Sequence, residues 1–317
     1  MLKFIYNIIQ EEVHLMRPDV KDVSKIYLFI MILFITAGYF MQKSNLYFGI
    51  IFTEIFFVLM PVFIYLLINR FDLVYVLRLN KLKINQSIVI LGIAVFGWVV
   101  AGFFMLLMNY FLYKLGHIPV QQLPPPYNFT DMILQVLIFG AVAAFCEELL
   151  MRGLIMRSFE LIGSIRSIFI TALLFAMLHL NIQNFFSIFF LGILLGYVVY
   201  RTDSIFGGIL LHFTNNTISV IISYIFLSRD SGNMDFLQKT NIPFSAIIIY
   251  GIFASVSAII LYLLIKILEK LTDPYVIKMT GNLKYNFNIL NYWPLFLSFL
   301  IFMYRITNQI LKIAGVI

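Results

Sequence analysis

Nine apolar runs recur from one end of the chain to the other, at residues 26–42, 46–68, 88–113, 131–151, 167–180, 185–200, 205–227, 244–265 and 289–304. A helix needs about 20 apolar residues to cross the hydrocarbon core of a bilayer. In lipid the backbone must satisfy its own N–H and C=O groups, so runs of this length fold as helices. The expected fold is all-α, a polytopic transmembrane bundle of about eight to nine spans. Runs 167–180 and 185–200 are short for a crossing, and one or both is expected to be tilted or recessed inside the bundle. Composition closes off other classes. Of 317 residues, 62% are hydrophobic and only 12% charged. Soluble domains carry about 25% charge. A soluble enzyme, a disordered chain and a collagen-like or repeat-built polar chain are excluded.

The formal net charge of +7 is distributed as membrane orientation requires, with bases in the loops between apolar runs. If the N-terminus is cytoplasmic and nine spans alternate, cytoplasmic segments hold 16 Lys and Arg and outer segments hold 6. That positive-inside bias predicts a cytoplasmic N-terminus in a multi-pass cell-membrane protein. The bases are thereby explained without a nucleic-acid partner. The single cysteine, Cys146, supports neither an internal disulfide nor a Cys-based zinc cluster.

Four segments follow. Residues 1–21 place Leu2, Ile5, Ile9, Val13 and Met16 at helical spacing. This reads as a cytoplasmic amphipathic segment at the interface, or as a short helix packed on the rest of the protein. Glu11, Glu12 and Arg17-Pro18 interrupt it, unlike a cleavable signal peptide. Residues 22–130 hold the first spans and an outer loop in which Pro124, Pro125 and Pro126 enforce extended backbone. Residues 131–227 carry the chemistry, and residues 228–317 the C-terminal spans.

Titratable side chains inside spans are costly and are functional candidates by default. Glu54 stands alone in the second run; it is expected to line a cavity or to pair with Lys43 or a nearby polar group. The others cluster. Glu147 and Glu148 close the fourth run, about five residues from its end. Glu148 and Arg152 are four apart on one helical face and can pair. Glu147 is rotated about 100° away and lacks that partner. His179 ends an apolar stretch. His212 and Asn216 share one face of a later run. Each alone has a plain structural reading: a helix end at the interface, a packed histidine, hydrogen bonds between helices. Together they form a set able to polarise water and stabilise an oxyanion, the two needs of amide hydrolysis. No His-Glu-x-x-His motif occurs. Glu147, His179 and His212 could in principle hold zinc, and this stays open.

The trio Glu-Glu-x-x-x-Arg (147–152), Phe-x-x-x-His (175–179) and His-x-x-x-Asn (212–216) resembles the CAAX-protease and bacteriocin-processing (CPBP, or Abi) family of intramembrane proteases, which includes the type II CAAX prenyl endopeptidases. The resemblance covers roughly residues 131–227. It implies that Glu147 and His179 activate the attacking water and that His212 and Asn216 form the oxyanion hole. Glu148 and Arg152 support the site. It implies no required cofactor, zinc being the alternative, and a membrane-anchored or lipidated peptide or protein as substrate, processed near the cytoplasmic face. Bacteriocin or signal-peptide processing belongs to the same reading. Two other readings were weighed: a non-catalytic self-immunity or regulatory scaffold protein, and a transporter or proton relay, for which no inverted repeat is evident.

Overall fold

The computed structural model describes residues 17–118, 124–227, 242–272 and 292–316. Every regular element among them is a helix. The main ones are α1 Val20–Ser44, α2 Leu46–Ile68, α3 Ile84–Leu115, α4 Phe129–Ile162, α5 Ser164–Leu178, α6 Phe185–Thr202, α7 Ile205–Leu227, α8 Phe244–Leu271 and α9 Trp293–Ile313. All but α5 are long and apolar enough to cross a membrane, which makes eight candidate spans. The expected bundle is therefore observed, and the run at 185–200 extends into a full-length helix. The run at 167–180 becomes α5, whose 15 residues reach only about 22 Å at ~1.5 Å per residue. The predicted interfacial segment 1–21 lies outside the described residues up to residue 16.

Local chemistry sets the helix ends. Asp19 accepts from Lys21 N at 2.8 Å and starts α1; Asn45 accepts from Phe48 N at 3.0 Å and starts α2. Asn128 caps α4 through Asp131 N at 2.9 Å. These side chains take up N–H groups that a helix start leaves unpaired. The three prolines at 124–126 precede α4 as non-helical backbone, as expected.

α3 is the central helix, packed against α6, α7 and α8. α9 lies on α1. The chain's direction can be followed from a buried ionic cluster at one end of the bundle. Glu160, near the end of α4, faces Arg157 at 3.1 Å, Arg17 at 3.8 Å and Arg78 in a close contact. Arg78, from the α2–α3 link, also meets Asp203 at 2.5 Å, just beyond α6. Arg201 donates to the Glu269 carbonyl and to Thr272 Oγ1, both at 2.7 Å, at the end of α8. The start of α1, the α2–α3 link and the ends of α4, α6 and α8 thus share one end. α5 and α6 pack together as an out-and-back pair, so α5 reverses the chain despite its length. Arg17, Arg78, Arg157 and Arg201, all in the set the charge count groups on one side, do lie at one end.

Three helices contain wider π-helical turns: Phe34–Gly38 in α1, Thr53–Leu59 in α2, and both Val136–Val142 and Leu149–Ile155 in α4. Such turns are rare and gather at functional sites. In α4 they bracket the short α-helical stretch Ala143–Glu148. That stretch packs against the π turn of α2 on one side and against α7. The chemistry-bearing residues sit at this junction.

Candidate active site

α4 presents Glu147 and Glu148 side by side, with different surroundings. Glu148 is fully buried, and so is Arg152 one helical turn later. Arg152 Nη1 donates to Glu148 Oε1 at 2.7 Å. Its Nη2 donates to the Gly192 carbonyl of α6 at 3.1 Å. The guanidinium also lies over the Phe175 ring, 4.6 Å from its centroid. The ion pair anticipated from the i, i+4 spacing is therefore present. Arg152 does more than neutralise Glu148: it ties α4 to both α5 and α6. A buried pair of this kind stabilises weakly as a pair, but removing one partner strands the other charge, at a cost of about 3–5 kcal/mol.

His212 comes in from α7. Its Nδ1 is 3.0 Å from Glu148 Oε1, and its Nε2 is 3.7 Å from Glu147 Oε2. One imidazole thus spans both carboxylates. The pattern runs Arg152, Glu148, His212, Glu147. Glu148, expected only to brace Arg152, also orients His212. A glutamate held by arginine accepts from Nδ1–H and fixes which ring nitrogen faces the site. Nε2 then donates only when the ring carries both protons, and otherwise offers its lone pair.

Close backbone approach makes this possible. A Cβ on Gly208 of α7 would stand 2.8 Å from Glu148 Oε2 and 2.6 Å from Val199 Cγ2. A Cβ on Gly192 would stand 2.9 Å from Ala172 Cα and Cβ. Small residues at such crossings let helices meet backbone to backbone. The absence of side chains there is what brings the Glu148 carboxylate and the Gly192 carbonyl within reach of their partners.

Glu147 is less enclosed, its side chain 15% exposed. Asn216, one turn beyond His212, donates through Nδ2 to the Phe139 carbonyl at 2.8 Å and accepts from Asn215 Nδ2 at 3.2 Å. His179 caps the C-terminal end of α5 with an exposed ring. Its Nδ1 lies 2.9 Å from the Phe175 carbonyl. Donation of Nδ1–H to that carbonyl puts the ring's lone pair on Nε2. The ring stacks edge-on against Phe175 at 4.8 Å, and Phe175 meets His212 edge-on at 5.7 Å. Phe175 therefore separates and orients the two histidines. The turn after His179 is held from α9. Gln309 donates to the Leu180 carbonyl at 2.6 Å and accepts from Ile182 N at 3.0 Å.

Residues 129–218 match a family model described as Type II CAAX prenyl endopeptidase Rce1-like. This Rce1-like segment contains all six residues of the three motifs, and its family is a protease family. It agrees with the resemblance to the CPBP proteases. With eight candidate spans, the protein is a multi-pass membrane protein. No curated protein and no solved structure gave a significant match.

Glu147 does not lie about five residues from a helix end. α4 continues through Ile162, which puts Glu147 near its middle, because the charged stretch after residue 151 is buried by neighbouring helices rather than ending at an interface. Glu54, outside the Rce1-like segment, makes no ion pair with Lys43 among the described residues, which leaves cavity lining or another polar neighbour of its expected roles. It is buried in the π turn of α2, which packs on the stretch of α4 that holds Cys146 and Glu147. A lone acidic residue in an apolar run was the only signal for it. As for metal, among the described residues no group of three or more His, Cys, Asp or Glu side chains is arranged to hold an ion.

Proposed function

We propose that the protein is an intramembrane endopeptidase in which Glu147 and His179 activate a water and His212 and Asn216 stabilise the oxyanion. The observation that carries this reading is the Arg152–Glu148–His212–Glu147 chain. It draws residues from two helices into one polar track within the Rce1-like segment.

Water oxygen attacks the scissile carbonyl carbon while Glu147, with His179, takes one water proton. The carbonyl π pair moves to oxygen, where the His212 ring, when it carries both protons, donates from Nε2 and Asn216 donates from its amide. The tetrahedral intermediate then collapses. The C–N bond breaks, and the nitrogen leaves with the proton returned by the acid form of Glu147. Glu148 and Arg152 do not react. They hold His212 in one orientation, with Nδ1–H on Glu148 and Nε2 toward the site, as the third member of a triad does.

The substrate class we propose is a membrane-anchored or lipidated peptide, reached from the cytoplasmic leaflet. Support comes from the Rce1-like match, whose family acts on prenylated CAAX proteins, and from the 16-to-6 bias of Lys and Arg. Bacteriocin or signal-peptide processing would use the same site.

The test uses full-length protein in lipid. Wild type, Glu147→Gln and His179→Ala are compared for cleavage of membrane-anchored peptides with and without a C-terminal prenyl group, with and without chelator. Cleavage by wild type and none by Glu147→Gln supports the reading. If wild type cuts nothing and both variants keep the protein's cellular phenotype, a binding or immunity role replaces it.

A further inference from the structure

Among the described residues, Glu54 is the one buried carboxylate near the site that the mechanism does not use. It is 6% exposed, within an apolar helix, and its Oε2 is buried without a hydrogen-bond partner. Burying such a group without a partner costs several kcal/mol. Its position is specific. It lies in the π turn of α2, which packs on the Ala143–Glu148 stretch of α4 that carries Glu147. The Oε2 atom of Glu147 is likewise buried and without a hydrogen bond, its contact with His212 being 3.7 Å. Both oxygens belong to the packed pair of α2 and α4 turns, and each lacks a donor. A water has two, and can serve both carboxylates at once.

We propose that Glu54 is a positioning residue for Glu147: the two carboxyls are joined through one water, which holds Glu147 in the orientation that faces His212. This rests on the endopeptidase reading. The arrangement gives Glu147 a polar partner on its α2 side to match His212 on its α7 side. It also accounts for the π turn, which displaces residues 53–59 from ordinary α-helical register at the level of the site. The other charged groups at the junction have partners of their own, although Glu148 Oε2 and Arg152 Nε are also buried without a hydrogen bond. Glu148 is held by Arg152 and His212, and Arg152 by Glu148 and the Gly192 carbonyl.

The inference separates function from stability. A purely structural Glu54 would be replaceable by leucine with no catalytic consequence, because an apolar side chain suits an apolar helix better than an unpartnered carboxyl. The experiment compares wild type, Glu54→Leu and Glu54→Gln in lipid, on a membrane-anchored peptide that wild type cleaves. The expected result is that Glu54→Leu unfolds at the wild-type temperature or higher, keeps KM, and loses kcat by roughly 10- to 100-fold, the scale of a misplaced reacting group. Glu54→Gln, which can still bond a water, recovers most of that loss. Wild-type kcat in Glu54→Leu overturns the proposal, and so does a parallel loss of stability and activity in both variants. A measurement without turnover distinguishes its failure from that of the endopeptidase reading. The infrared carboxyl bands assigned to Glu54 by its loss in Glu54→Gln should shift in Glu147→Gln whether or not any peptide is cut. An unshifted band overturns the proposal even in an active enzyme.

Discussion

His212 Nδ1 sits 3.0 Å from Glu148 Oε1, and the same ring turns Nε2 toward Glu147 at 3.7 Å. The adjacent glutamates therefore differ in kind. Glu148 is buried and shared between Arg152 and His212; Glu147 keeps a partly open carboxylate. Substitutions at the two should fail in different ways.

Glu147→Gln is expected to fold like wild type and to lose about 10²- to 10⁴-fold in kcat, the range for removal of a positioned general base. Asn216→Ala should lose about 10²- to 10³-fold through the oxyanion. Turnover of one anchored peptide, with thermal unfolding in parallel, checks both. Equal activity in Glu147→Gln would remove it from the reaction.

Arg152→Ala is expected to destabilise by about 3–5 kcal/mol, since Glu148 would keep a buried charge without its partner. Arg152→Lys should recover only part, because one ammonium does not reproduce a fork that bonds Glu148 and the Gly192 carbonyl while lying over Phe175. Thermal unfolding in one detergent ranks the three proteins. Arginine and alanine variants of equal stability would contradict the buried pair.

Gly208→Ala is expected to cost about 1–3 kcal/mol, the usual penalty of overpacking. Its Cβ would press on Val199 and on the Glu148 carboxylate. Activity should fall with it, since α7 carries His212 and Asn216. An active, fully stable Gly208→Ala would mean that α7 can move without disturbing the site.

Glu160→Gln should destabilise the far cluster, where Arg17, Arg78 and Arg157 face that one carboxylate. The expected loss is again about 3–5 kcal/mol, with KM of the folded protein unchanged because no residue of the site touches Glu160. A changed KM at full folding would reveal coupling between the two clusters.

Chelation is expected to leave cleavage unchanged, as a water activated by Glu147 and His179 requires no ion. Activity lost on chelation and restored by zinc alone would transfer the water to a metal.

Much of this was readable in the chain. Runs of about 20 apolar residues leave no alternative to helices in lipid, and i, i+4 spacing alone places Glu148 beside Arg152 and His212 on one face with Asn216. Other features were not readable. Hydropathy ends the fourth run at residue 151, whereas α4 continues to Ile162. Polar residues there are buried by other helices, and a one-dimensional profile carries no knowledge of neighbours. Gln309 is an ordinary polar residue of the last helix until α9 is seen to clamp the turn after His179.

The sequence by itself determined the solvent this protein occupies, its helical class and the residue types that carry chemistry, because those follow from local hydrophobicity and spacing along one helix. Only the tertiary structure decided which carboxylate His212 holds, that the turn carrying Glu54 packs on the stretch carrying Glu147, and that α5 turns the chain without the length of a full span. Each depends on contacts between residues tens to more than a hundred positions apart, which no local pattern encodes.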